Sequence, residues 1–181
     1  MEPITLFQNK HILLGVTGSI ACYKAVDLAS KLTQAGAQVD VIMTDAAQQF
    51  VTPLAFRSVT GRPVFIDMWS LDEHVQHVGL GETADLFVIA PATAHTMAKL
   101  AQGLADNLLT VTALAARCPM LLAPAMDGGM YVHPATQANM KTLEGWGTRF
   151  AGPAAGRMAS GLTGLGRMLE PTNLFAHVRL A

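Results

Sequence analysis

Apolar residues come along this chain in two rhythms: short, mostly apolar runs, and stretches spaced by three and four. His11–Val16, Gln38–Met43, Ala84–Ala90, Pro119–Ala123 and Thr148–Ala151 are runs bounded by turn residues and predict strands. Ser19–Ala35 carries Ala21, Ala25, Leu28 and Leu32 at helical spacing and stops at Gly36, a residue suited to a left-handed helix end. Asp45–Gln49, Pro53–Thr60, Thr93–Gln102, Leu108–Ala116, Pro134–Trp146 and Pro171–Val178 predict further helices, the fifth of them with proline in its first turn. Apolar strands alternating with helices imply right-handed crossovers and a parallel sheet covered on both faces. The fold class is therefore α/β, a doubly wound parallel sheet in a three-layer sandwich. One stretch does not fit a layer. Residues 152–168 are rich in glycine with little periodicity, and a long irregular segment of this kind reads as a flap over a site.

A length of 181 residues suits one domain with a substantial core, so residues 1–181 are read as a single domain. Hydrophobic residues make up 51% of the chain and charged residues 14%, a balance that points to surface buried against further copies of the same chain. The apolar runs Leu86–Pro91 and Met120–Met126 are too short to span a bilayer. Net charge is −1 with no clustered Lys/Arg, which argues against a nucleic-acid partner. Cys22 and Cys118 are too few for a disulfide framework and read as small buried residues in a reducing compartment. Met1-Glu2-Pro3-Ile4 lacks the basic and apolar regions of a signal peptide, so a cytoplasmic location is expected. The histidines have no paired ligand spacing with the cysteines, and no metal site is expected.

The candidate chemistry lies where strands run into helices. Gly15-Val16-Thr17-Gly18-Ser19-Ile20 follows the first strand and opens a helix, where free amides, the helix dipole and the Ser19 hydroxyl suit an anion such as phosphate. The bland alternative is a plain turn with Ser19 as N-cap. The motif is not a dinucleotide fingerprint, and the second strand ends at Met43-Thr44 rather than at an acid, which suits a mononucleotide. Ala90-Pro91-Ala92-Thr93-Ala94-His95-Thr96 repeats the device after the third predicted strand. Two such strand ends side by side favour a shared anion site.

These stretches, taken with others in order, make the chain resemble the homo-oligomeric flavin-containing cysteine decarboxylases, most nearly the coenzyme A biosynthetic branch. The others are Val41–Ala47, Phe50–Pro53, His77, Ala84-Asp85, Ala98–Ala101, Gly103–Asp106, Ala123–Met126, His133–Thr136 and Gly164–Met168. The resemblance covers about His11 to Pro171 and implies a Rossmann- or flavodoxin-like fold binding FMN. It further implies FMN contacts from Gly18, Ser19, Ile20, Thr44, Ala92, Thr93, Thr96, Ala105, Asp106 and Met126, with His77 as catalytic base. The cofactor would sit between subunits of a homotrimer, which in such families assembles further into a dodecamer. The implied reaction is oxidation of a small cysteine-containing substrate, 4'-phosphopantothenoylcysteine, to a thioaldehyde that loses carbon dioxide and ends as 4'-phosphopantetheine. A phosphopantothenate–cysteine ligase, fused or separate, is the implied partner.

Three positions depart from the family pattern. Asp127 stands where the family has an asparagine that holds the substrate carboxylate, and an ionised Asp127 would repel that group. Either it is protonated in a desolvated site, or the carboxylate is held elsewhere; the bland alternative is a helix cap that tolerates the swap. Ser160 replaces the flap cysteine that supplies a proton, and a hydroxyl is a weaker acid. His95 replaces an asparagine near the phosphate. Asp127, Ser160 and His77 are nonetheless the expected substrate-handling residues. Two other readings stay open: a peptidyl-cysteine decarboxylase that releases an enethiol, and a flavin-binding subunit without turnover.

Overall fold

The computed structural model describes residues 5–69 and 76–181; residues 1–4, on which the leader expectation rests, and 70–75 lie outside it. Along the chain the elements are β1 (His11–Val16), α1 (Cys22–Gln34), β2 (Gln38–Met43), α2 (Asp45–Gln48), α3 (Pro53–Thr60), β3 (Val64–Phe65) and α4 (Gln76–Thr83). There follow β4 (Leu86–Ala92), α5 (Ala94–Gln102), α6 (Leu108–Ala115), β5 (Met120–Pro124), α7 (Gly128–Val132) and α8 (Pro134–Gly145). The chain ends with β6 (Arg149–Phe150), β7 (Ala154–Arg157), β8 (Thr163–Arg167) and α9 (Pro171–Leu180).

Six strands form one parallel sheet in the order β3-β2-β1-β4-β5-β6. The order reverses between β1 and β4, and the crevice beyond the carboxyl ends of those two strands is where open α/β sheets bind ligands. The expected parallel α/β sandwich is thus the observed one. β3, α4 and α7 were not anticipated. A two-residue edge strand and a five-residue helix are too short to show a period, and α4 holds two glycines in eight residues and has almost no apolar face.

Alternate side chains of each buried strand go to opposite faces, and the core accordingly splits in two. Leu14 and Val16 pack with Leu28, Leu32, Phe56 and Leu174 on one face. Leu13 packs with Phe87, Ile89, Met97, Leu109 and Leu143 on the other. Burying each such side chain contributes about 1.5–3 kcal/mol relative to leaving it in water. Gly15 has no room to be anything larger, since a Cβ there would stand 2.9 Å from Leu109 and 3.1 Å from Phe87.

The helix ends that face the crevice are set by local chemistry. Thr93 caps α5 by accepting from the Thr96 amide, and Asn107 caps α6 in a reciprocal box with Thr110. α1 starts three residues later than expected and Ser19 is not its cap. Residues 17–22 form a tight turn in which the Ser19 amide donates to the Thr17 carbonyl and the Cys22 amide to the Ser19 carbonyl. The segment expected to be an irregular flap is an antiparallel hairpin of β7 and β8, from Ala154 paired with Arg167 to Arg157 paired with Thr163. No helix among the described residues is long and apolar enough to cross a membrane.

Candidate functional site

The β1 and β4 ends are fastened together by a residue to which the sequence reading gave no role. The buried Thr17 hydroxyl donates to the Pro91 carbonyl at 2.7 Å and accepts from the Thr93 amide at 3.1 Å. Pro91 has no amide to give to the β4–β5 ladder, and the register slips between Ile89 and Ala92. That slip turns the strand end, and Thr17 fills the gap. The signal was in plain view as the first hydroxyl of Gly15–Ile20, but nothing in one sequence says that it faces inward. Gly18 is fixed by packing, because a Cβ would fall 2.5 Å from that of Ala46.

Two cavities open from this crevice. The larger, about 860 Å³, is lined by Gly18, Ser19, Ile20, Thr44, Thr93, Thr96, Asp106 and Met126 of the expected cofactor residues. His95, Lys99, Phe50 and Met130 line it too, as does Asp45. The second strand ends at Met43 as expected, and Asp45 stands two residues beyond it at the start of α2. Thr44 caps α2 by accepting from the Ala47 amide at 3.3 Å. Lys99 donates to both oxygens of Asp106, at 2.8 and 2.6 Å, and this bond holds the exposed Asp106 carboxyl below the ordinary carboxylate range. Of the expected cofactor residues, Ala92 is buried within β4 and Ala105 lies outside the lining, so neither meets the cleft. His77, the expected base, is part-buried on α4 and lines neither cavity.

The second cavity, about 520 Å³, lies under the hairpin and shares Ser19, Ile20, Ala125 and Met126 with the first. Asp127 and Ser160 meet there. The Ser160 hydroxyl donates to Asp127 at 2.8 Å, and the Gly129 amide donates to the other oxygen at 3.0 Å, so that Asp127 caps α7. These bonds hold the Asp127 carboxyl below its ordinary value. Asp127 thus stands as a helix cap whose two oxygens both accept hydrogen bonds.

The hairpin is bound down at three further points. The Met126 amide donates to the Gly166 carbonyl at 2.9 Å, and the Gly128 amide approaches the Met158 sulfur at 3.1 Å. Gly166 has φ +146°, and a Cβ there would lie 2.2 Å from the Met126 carbonyl oxygen. At the base, the buried Lys24 donates to the Met168 carbonyl at 3.0 Å and to Glu170 at 2.8 Å. Glu170 also accepts from Arg167, and the Lys24 bond above all holds its carboxyl down. Burial pushes the thiol of Cys22 up, which leaves it a packing residue beside the turn. Among the described residues no group of three or more His, Cys, Asp or Glu is placed to hold a metal.

Hydroxyls, the start of α5, His95 and Lys99 line the large cleft together with Ile20, Phe50, Met126 and Met130, and this mixture defines the class. It is a nucleotide-binding α/β protein whose cleft offers a polar cradle for a phosphate and an apolar wall for a flat ring. The chain belongs to the flavoprotein family, whose model matches residues 3–179. The hydroxyls, amides and apolar side chains of this cleft fit a flavin mononucleotide. The chain is 46% identical over 170 residues to the coenzyme A biosynthesis bifunctional protein CoaBC of Vibrio vulnificus, covering 93% of the chain and 42% of that protein. It is 44% identical to CoaBC of Bacillus subtilis, again covering 93% of the chain and 42% of the relative. The chain thus spans less than half the length of these relatives. Among solved structures it is similar to a cysteine-to-serine variant of PPC decarboxylase complexed with pantothenoylaminoethenethiol. The TM-score is 0.84 at 32% identity, over 94% of this chain and 97% of that one. The FMN-dependent cysteine decarboxylase SpaF matches at TM-score 0.78 and 32% identity, over 97% and 99% of the two chains.

Proposed function

We propose that the chain is an FMN-dependent carboxy-lyase that converts 4'-phosphopantothenoylcysteine to 4'-phosphopantetheine in coenzyme A biosynthesis. The observation that carries this reading is the adjacency of the two cavities, which share Ser19, Ile20, Ala125 and Met126 in their walls. A substrate held under the hairpin meets the cleft that fits the flavin. The identity to CoaBC and the fold match to PPC decarboxylase support the same reading.

When bound, FMN would accept two electrons from the carbon that bears the substrate thiol and return them to the enethiol left after carbon dioxide departs, so that the conversion is redox-neutral overall. Gly18, Ser19, Thr93 and Thr96 would bind its phosphate, and Met126 would flank the ring. Asp127 and Ser160 would face the cysteine end of the substrate. The hairpin would exclude water while the carboxylate, β to the oxidised sulfur-bearing carbon, leaves as carbon dioxide. His77 would remove the thiol proton from the neighbouring copy's site, which accords with its absence from both cavities of its own protomer. A homotrimer, assembling further to a dodecamer, is supported by exposed apolar side chains such as Ile20, Tyr23, Leu54 and Leu114. A ligase, fused as in the bifunctional relatives or separate, would supply the substrate. A cytoplasmic location accords with two free cysteines.

One observation favours a second reading. Ser160 occupies the flap position, and a weak acid there suits an enzyme that stops at the enethiol, as a peptidyl-cysteine decarboxylase does. The test is to load the protein with FMN and offer phosphopantothenoylcysteine and, separately, a peptide ending in cysteine. The first reading predicts carbon dioxide from the small substrate alone. Release from the peptide alone supports the second, and release from neither contradicts both.

A further inference from the structure

We propose that Arg157 holds the carboxylate of the substrate in the cavity under the hairpin. The inference rests on the decarboxylase reading above and adds the group that grips the leaving carboxylate. Asp127 accepts a hydrogen bond on each of its oxygens, from Ser160 and from the Gly129 amide, so it presents no donor to a substrate carboxylate in that cavity. Two of the three cations that line the cavity are already engaged. Lys24 is tied to Glu170 and the Met168 carbonyl, and Arg167 to the same Glu170. Arg157 is the third. It stands at the end of β7 on the same hairpin as Ser160, and among the described residues its guanidinium has no ion pair and no side-chain hydrogen bond. It is also exposed, so gripping an anion requires no burial of an unpaired charge in the free protein. The planar fork of arginine matches the two oxygens of a carboxylate. Because the anion departs as carbon dioxide, this grip acts on the substrate and not on the product.

The test uses the FMN-loaded chain and two unreactive probes. Phosphopantothenoylserine carries a hydroxyl for the thiol, and phosphopantothenoylethanolamine differs from it only by lacking the carboxylate. Binding is read from the perturbation of the flavin spectrum. Arg157→Gln is expected to weaken the serine probe about tenfold or more while leaving the ethanolamine probe within about twofold, and Arg157→Lys to recover part of the loss. With the true substrate, Arg157→Gln is expected to raise KM more than it lowers kcat. Equal weakening of both probes would assign Arg157 to the phosphate or to hairpin closure and overturn the proposal, as would no change in either. If the wild-type protein holds FMN but binds neither probe, the substrate reading itself fails and takes the Arg157 assignment with it. If it binds both probes equally, the substrate reading survives and the Arg157 assignment fails alone.

Discussion

At the scale of single residues, charge decides more here than shape. Asp127 accepts from Ser160 and from the Gly129 amide, and it is the first residue a substrate carboxylate would be repelled by. Asparagine caps a helix as well as aspartate does, so Asp127→Asn keeps α7 in place. It is expected to lower KM for the cysteine substrate severalfold with FMN affinity unchanged, as steady-state kinetics beside a flavin titration would record. A raised KM would mean that the charge at Asp127 serves binding. Among the described residues, Glu170 is the one carboxylate paired with the buried Lys24. Glu170→Gln is expected to cost about 1–3 kcal/mol in a urea titration, because it leaves a buried ammonium without its counter-charge. Neither pairing was legible in the sequence. Ser160 and Asp127 lie far apart in the chain, and so do Lys24 and Glu170, and only the fold joins them.

At the scale of elements, the strand and helix starts that build the cleft were legible because they carry their own chemistry. β1, β2, β4 and β5 are apolar runs, and Thr44, Thr93 and Asn107 are helix caps by type. The hairpin was legible only as a place. Its strands, AAGR and TGLGR, bury little, so no alternation of apolar residues marks them. The hairpin is held by the Met126 amide on the Gly166 carbonyl and by the side-chain bonds of Ser160 and Lys24, and its closest approach to the backbone beneath is at Gly166. Gly166→Ala brings a Cβ into the Met126 carbonyl at a φ that side chains avoid. The expected outcome is a protein that still takes up FMN but has lost most of its turnover, with the hairpin cut first in limited proteolysis. An unchanged rate would show that the hairpin does not close the site.

At the scale of the whole molecule, the two ends of the sheet do different work. The carboxyl ends of β1 and β4 carry the cleft, and at the amino end of β1 a charged group ties β1 and β2 to the turn between α3 and β3. His11 shares a 2.6 Å bond with Asp40, which also accepts from Arg62 at 2.6 and 3.0 Å. The bond to Asp40 raises the His11 pKa above 6.5, against burial. Burial pushes Asp40 up, but His11 and Arg62 together outweigh it and hold the carboxyl below 3.8. The His11 contribution to stability is therefore complete below pH 6.5 and is lost as pH rises through the raised folded value. That of Asp40 is present above 3.8 and is lost as pH falls through its lowered folded value. Thermal melts across this range are expected to fall on the alkaline side, and His11→Gln is expected to flatten that fall. A slope that survives in His11→Gln would assign the fall to other groups.

The central claim is that a flavin bound in the larger cleft decarboxylates a cysteine compound held beneath the hairpin. It is tested most directly by carbon dioxide release from phosphopantothenoylcysteine by the FMN-loaded protein, followed without oxygen beside the flavin absorbance. One carbon dioxide per substrate consumed is expected, with bleaching of the flavin as release begins. A yellow protein that binds the substrate, keeps its colour and releases no carbon dioxide would contradict it.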